Sequence, residues 1–233
     1  MNRTAIRFAI ALSAGFLGTA LATEKIDHLE PSRSAIDTRL DDHRALIIHT
    51  VFHDAWSREI LLRMHGDDGG LGLEDYVITL KALNGKYSVV YFHTPHRLRR
   101  YWLPPLPLRA GSKTILPLEP RDYHDIVPER CEVAIPSQLA KRLVAAWHSV
   151  LMDARYYENE PYPPPDGGRV EFSMEYNGQT LAGTISDAVD DGSKPAQLVS
   201  IAMDMRTLCM DRPAEARTAL KGDLTRFEKQ YTK

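Results

Sequence analysis

An α+β fold is predicted: an antiparallel sheet built from two Asn-Gly hairpins plus a short strand, covered on one face by three main helices. Three observations predict it. Pairs of β-rich runs flank Asn84-Gly85 and Asn177-Gly178, and Asn-Gly accepts positive φ at both central positions of a type I′ turn. Three later segments repeat apolar residues at helical spacing. The strand connections are hairpins and not βαβ crossovers, which sets α+β apart from α/β.

The chain opens Met1-Asn2-Arg3 with Arg7 close behind, then runs uncharged from Phe8 to Ala22 and ends that run in Ala20-Leu21-Ala22. A positive start, a short apolar stretch and small residues at the −3 and −1 positions are the marks of a secretory signal peptide, and the stretch is too short for a comfortable membrane span. The expected organisation is therefore a signal peptide over 1–22, cleaved after Ala22, and one α+β domain over 23–233. Cleavage removes two arginines and no acid, so the formal charge moves from −2 to −4. No cysteine stands directly after Ala22, so no lipid anchor is expected, and the mature protein is expected to be periplasmic or secreted without a stable membrane anchor.

Leu46–Phe52 is rich in β-branched and aromatic residues and reads as strand-like, with a helix as the alternative. Trp56, Ile60, Leu61 and Met64 fall at helical spacing between a capping Asp54 and a terminating Gly66, which predicts a short helix over 55–64. The first hairpin pairs Tyr76–Leu83 with Lys86–His93. Cys131–Ile135 alternates as the short strand. After Pro136-Ser137 a helix runs to about Tyr157, with Leu139, Leu143, Trp147, Val150, Leu151 and Ala154 on one stripe. The second hairpin pairs Val170–Tyr176 with Gln179–Ser186, alternating so that one side of the sheet is buried. Leu198, Ile201, Ala202, Met205 and Leu208 form the stripe of the next helix; Leu220, Leu224, Phe227 and Tyr231 form that of the last, with Pro213 suited to its first position.

Composition near the globular average excludes disordered, collagen-like and coiled-coil chains, and a net charge of −2 supplies no broad basic surface for nucleic acid. In an exported chain, the two cysteines, Cys131 and Cys209, are expected to form a disulfide. His49 and His53 stand four apart, but no Glu follows His49 as a zincin needs and no third ligand can be named, so no metal is expected. Gly69–Glu74 resembles one unit of the calcium-binding nonapeptide repeat, which needs stacked copies, and Asp187, Asp190, Asp191 and Gly192 resemble an EF-hand start whose bidentate Glu is replaced by Leu198. No cofactor is expected. Gly-x-Ser-x-Gly and Ser-x-x-Lys are both absent, and no catalytic residue is assigned.

Proline supplies the remaining signal. Six of the 15 lie between Tyr101 and Arg130, and four lie between Pro161 and Pro165, which marks both stretches as loops. The first, with the residues leading into it, carries Arg97, Arg99, Arg100, Tyr101, Trp102 and Arg109; the second, with the residues leading into it, carries Tyr156, Tyr157 and Tyr162. Arg, Tyr and Trp are the residue types that dominate interface hot spots, so these nine are the candidate binding residues. From Trp147 through Arg155-Tyr156, Asp166-Gly167-Gly168, Phe172 and Leu181 to Leu198-Val199, the pattern resembles that of small exported bacterial proteins, on core and turn residues that imply no catalytic role.

The function expected from these features is a soluble exported protein, non-catalytic, that binds a protein partner in the periplasm; an immunity or inhibitor protein against a toxin or cell-wall hydrolase is one such kind. A periplasmic hydrolase acting on cell-wall material, and a small-ligand carrier using the open sheet face, are the alternatives.

Overall fold

The computed structural model describes residues 29–31, 40–67, 75–96, 98–101, 122–155, 169–186, 192–209 and 213–231. The expected signal peptide, Gly69–Glu74 and Asp187–Asp191 lie outside them. The fold is α+β. Strands β1 (Glu30–Pro31), β2 (Ile60–Asp67), β3 (Asp75–Leu83), β4 (Lys86–Thr94), β5 (Glu129–Ile135), β6 (Arg169–Tyr176) and β7 (Gln179–Ser186) form one antiparallel sheet in the order β1-β7-β6-β2-β3-β4-β5. Four α-helices accompany it: α1 (Leu40–Val51), α2 (Ser137–Leu151), α3 (Lys194–Thr207) and α4 (Pro213–Tyr231).

Both hairpins turn on Asn-Gly, with Asn84 and Gly85 at φ 52° and 73° and Asn177 and Gly178 at 51° and 75°. These are the left-handed angles a type I′ turn requires. Between the hairpins lies β2, paired with β3 on one side and with β6 on the other, so that the two hairpins become a single sheet.

The chain over 46–64 departs from its sequence reading twice. Leu46–Phe52 is not a strand; it belongs mostly to α1, which lays Ile47, Ile48, Val51 and Phe52 against Val77, Val90 and Phe92 on the sheet. The helix expected over 55–64 is replaced by a 3-10 turn at His53–Trp56 and by β2, because Leu62 and Met64 alternate into one core while Arg63 and His65 face the other way. The sheet is consequently covered on both faces, by three helices on one and by α1 on the other.

On the three-helix face, Trp147 of α2 is fully buried, its ring edge-on to Phe172 at 5.6 Å and its indole N–H directed at the Arg63 carbonyl at 3.4 Å. The Arg142 guanidinium of α2 donates two hydrogen bonds to Glu228 of α4, at 2.6 and 2.9 Å, which fixes the angle between these helices. Gly66 is dictated by a neighbour: a Cβ there would stand 2.5 Å from Tyr76 Cζ. A disulfide joins Cys131 of β5 to Cys209 just beyond α3. Among the described residues, no helix is long and apolar enough to cross a membrane.

One contact between α3 and α4 carries a pH dependence. Asp204 is half-buried, its Oδ2 has no hydrogen-bond partner, and burial first, then the charge of Asp223, pushes its carboxyl up from 3.8 to about 6. The folded state therefore holds this proton more tightly than the unfolded chain, so stability rises as pH falls from above 6 towards 4 and is reduced at neutral pH. Asp204→Asn removes the charge at all pH values. After a discount for partial exposure, it is expected to stabilise the protein by about 1–2 kcal/mol at pH 7.5 and to leave stability unchanged at pH 4. Urea midpoints at the two pH values measure this, and an equal effect at both would contradict it.

Candidate functional site

The sheet has a quiet end and a busy end. Both Asn-Gly turns lie at the first, together with Pro136, which leads from β5 into α2. At the other end β2, β4 and β7 finish while β3, β5 and β6 begin, as the pairings Asp67 with Asp75, Asp75 with Thr94, His93 with Glu129, and Arg169 with Ser186 show. Four connections attach here, 68–74, 95–128, 152–168 and 187–193, whereas the α1-bearing connection from β1 enters β2 at the Asn-Gly end. Both proline-rich segments with their candidate binding residues are therefore tethered at one end of one sheet.

The described residues at this end form a stiff base. Two 3-10 turns, Leu98–Tyr101 and Tyr123–Asp125, bracket the first proline-rich segment. Leu98 and Ile126 are buried with α1, and Tyr101 meets Tyr123 edge to face at 5.9 Å, so the two ends of the intervening stretch are held together. Tyr123 stacks on His124 at 4.2 Å. Asp122 caps the second turn by accepting the His124 N–H at 3.0 Å, and the bonds from the His124 backbone and then its ring hold the Asp122 carboxyl below its ordinary range.

Beneath the first turn lies a buried pair, His65 and Asp75. Asp75 Oδ2 accepts the Leu98 N–H at 3.3 Å, while its Oδ1 stands 3.9 Å from His65 Nε2, and neither of those last two atoms has a hydrogen-bond partner. The carboxylate thus anchors the take-off of the first proline-rich segment. Farther along the same face, Arg63 is largely buried. It donates from Nε to the Ala55 carbonyl at 2.9 Å and from Nη1 to Ser173 Oγ at 3.1 Å, and its guanidinium lies 4.5 Å from the Trp56 ring centroid. Burial lowers its pKa to about 10, against the opposing charges of Glu171 and Glu175. Its partners are neutral and come from two elements, the 3-10 turn and β6, so Arg63 acts as a clamp between the α1–β2 connection and β6.

Of the nine candidate residues, Tyr101 is placed in the neck just described. Arg99 and Arg100 belong to the same 3-10 turn, with side chains outside the description, and Arg97, Trp102, Arg109, Tyr156, Tyr157 and Tyr162 lie outside the described residues altogether. His49 packs its ring 4.2 Å from Trp56; burial, followed by Arg63, lowers its pKa, while His53 pairs with Asp54 at 3.2 Å. No group of three or more His, Cys, Asp or Glu is placed to hold a metal among the described residues. Sequence reasoning missed Arg63, His65 and Asp75. Their one signal was the alternation of Leu62 and Met64 with Arg63 and His65, which marks a strand with a polar second face.

Fold and site together define a class: a disulfide-tied α+β protein with one antiparallel sheet whose two proline-rich connections share one end. Comparison with protein-family models, with curated proteins and with solved structures finds no match for this chain.

Proposed function

We propose that this chain is an exported, non-catalytic protein that acts by binding a protein partner, and that it neutralises a toxin or cell-wall hydrolase in the periplasm as an immunity or inhibitor protein does. The observation that supports the reading is that both proline-rich connections, 95–128 and 152–168, attach at one end of the sheet, opposite the two tight Asn-Gly turns. A rigid scaffold that gathers its variable connections at one end is the arrangement by which loops are put to work in recognition. Two of those connections hold the Arg, Tyr and Trp residues suited to hot spots, and the neck of one is fixed by Tyr101, Tyr123 and the Asp75–Leu98 bond. The disulfide supports the export part of the reading, since such bonds persist in oxidising compartments.

The test is capture from periplasmic extract with the mature protein as bait, followed by identification of the captured protein and assay of its activity. The expected result is a stoichiometric partner, a toxin or peptidoglycan hydrolase, that the purified protein inhibits. Simultaneous Arg99→Ala, Arg100→Ala and Trp102→Ala substitutions are expected to weaken both capture and inhibition by a hundredfold or more, on the order of 3 kcal/mol. Peptidoglycan hydrolysis by the purified chain itself, with no partner captured, would overturn the reading in favour of the hydrolase.

A further inference from the structure

A second site is suggested by a cleft of about 210 Å³ between the Asp54–Ile60 segment and the β3–β5 part of the sheet. Val90 and Phe92 of β4 lie at its base, both almost fully buried. Its charges are divided by element. Asp54 and Glu59 come from the segment that links α1 to β2, whereas Lys81 comes from β3 and Arg130 from β5.

The cations are in different states. Arg130 is held, its guanidinium 5.9 Å from the Phe92 ring centroid and paired with Glu132, which in turn accepts from Ser88 Oγ at 2.6 Å. Lys81 is half-buried; its ammonium makes no hydrogen bond or ion pair among the described residues, and its charge acts on both Glu59 and Glu132. Of the carboxylates, Asp54 pairs with His53 at 3.2 Å, and Glu59 is held below its ordinary range by the Ser57 hydroxyl first and its own backbone N–H second. Glu59 is thus ionised and keeps acceptor capacity.

We propose that this cleft binds a small zwitterion, in the simplest case a free amino acid, whose carboxylate meets Lys81 and Arg130 and whose ammonium meets Glu59 and Asp54. Other ligand classes fit worse. A simple anion meets the repulsion of the two carboxylates and a simple cation that of Lys81 and Arg130; a neutral apolar molecule strips water from all four charges without replacing it. The volume lies below the roughly 300 Å³ at which drug-sized pockets begin, so the occupant is small. The proposal does not depend on the partner-binding reading.

The test is a titration of the purified mature protein with leucine, with chemical shifts of the Lys81, Val90, Phe92 and Arg130 backbone amides as the readout. Leucinamide, which lacks the carboxylate, and N-acetylleucine, which lacks the ammonium, are titrated in parallel, and Lys81→Gln is titrated with leucine. Saturable shifts confined to the cleft at leucine concentrations up to about 10 mM are expected, with affinity about tenfold lower for each analogue and for Lys81→Gln. No shift at these amides, or equal affinity for either analogue, overturns the proposal; the two analogues test it on the unaltered protein, whatever the fate of the substituted one.

Discussion

Replacing Cys131 and Cys209 together by serine is expected to lower the unfolding free energy by about 4 kcal/mol, with reduction of the native protein giving the same loss. The bridge spans 78 residues in sequence, and in the chain-entropy account a cross-link of that length removes roughly 4 kcal/mol of disorder from the unfolded chain. Its placement adds a local effect. β5 is an edge strand whose outward residues are largely exposed, hydrogen-bonded within the sheet to β4 alone, while Cys209 follows the helix that crosses the three-helix core. Amide exchange in β5 is accordingly expected to quicken more than in the central strands when the bridge is removed. A loss below about 1 kcal/mol in denaturant midpoints, with β5 protection unchanged, would show that the remaining contacts hold this edge unaided.

What could be read from the chain and what could not divide along a physical line. The hairpins were legible because turn chemistry is local: Asn84-Gly85 and Asn177-Gly178 determine their backbone angles whatever surrounds them. The stripes of α2, α3 and α4 were legible for the same reason, since one face of each helix meets one core. Residues 46–64 resisted because their local preferences point the wrong way. Ile47, Ile48, Val51 and Phe52 are strand-favouring types that become helical because the second face of the sheet needs a cover. Leu62 sits opposite Leu80 on one side and Met174 on the other, partners distant in sequence, and that pairing makes β2 a strand against the helical spacing of Trp56, Ile60 and Met64. The same holds for the site. The sequence marked two proline-rich stretches, but their shared end, the Tyr101–Tyr123 neck and the Asp75 anchor exist only once β2, β3, β4 and β5 are in register.

That dependence on register gives the largest expected single-residue effect, at Trp147. Its side chain stands over β2 and β6, where the two hairpins meet: the ring touches Phe172 of β6, and the indole N–H points to the carbonyl of Arg63 in β2. Trp147→Ala empties the centre of the larger core and is expected to cost about 3–5 kcal/mol, among the costlier truncations known for buried aromatics. Trp147→Phe separates packing from polarity. It keeps an aromatic ring against Phe172 and loses the hydrogen bond, which at 3.4 Å is long, so most of its cost is the smaller cavity and the total is expected to be about 1–2 kcal/mol. The consequence reaches the opposite face, because Arg63 leaves the same strand to hold Ala55 and Ser173. If β2 is the shared spine, Trp147→Ala speeds amide exchange in β2 and β6 together, and with it loosens the α1 side of the sheet. If exchange quickened in α2 alone, the two cores would be energetically separate and β2 would be no more than the strand between them.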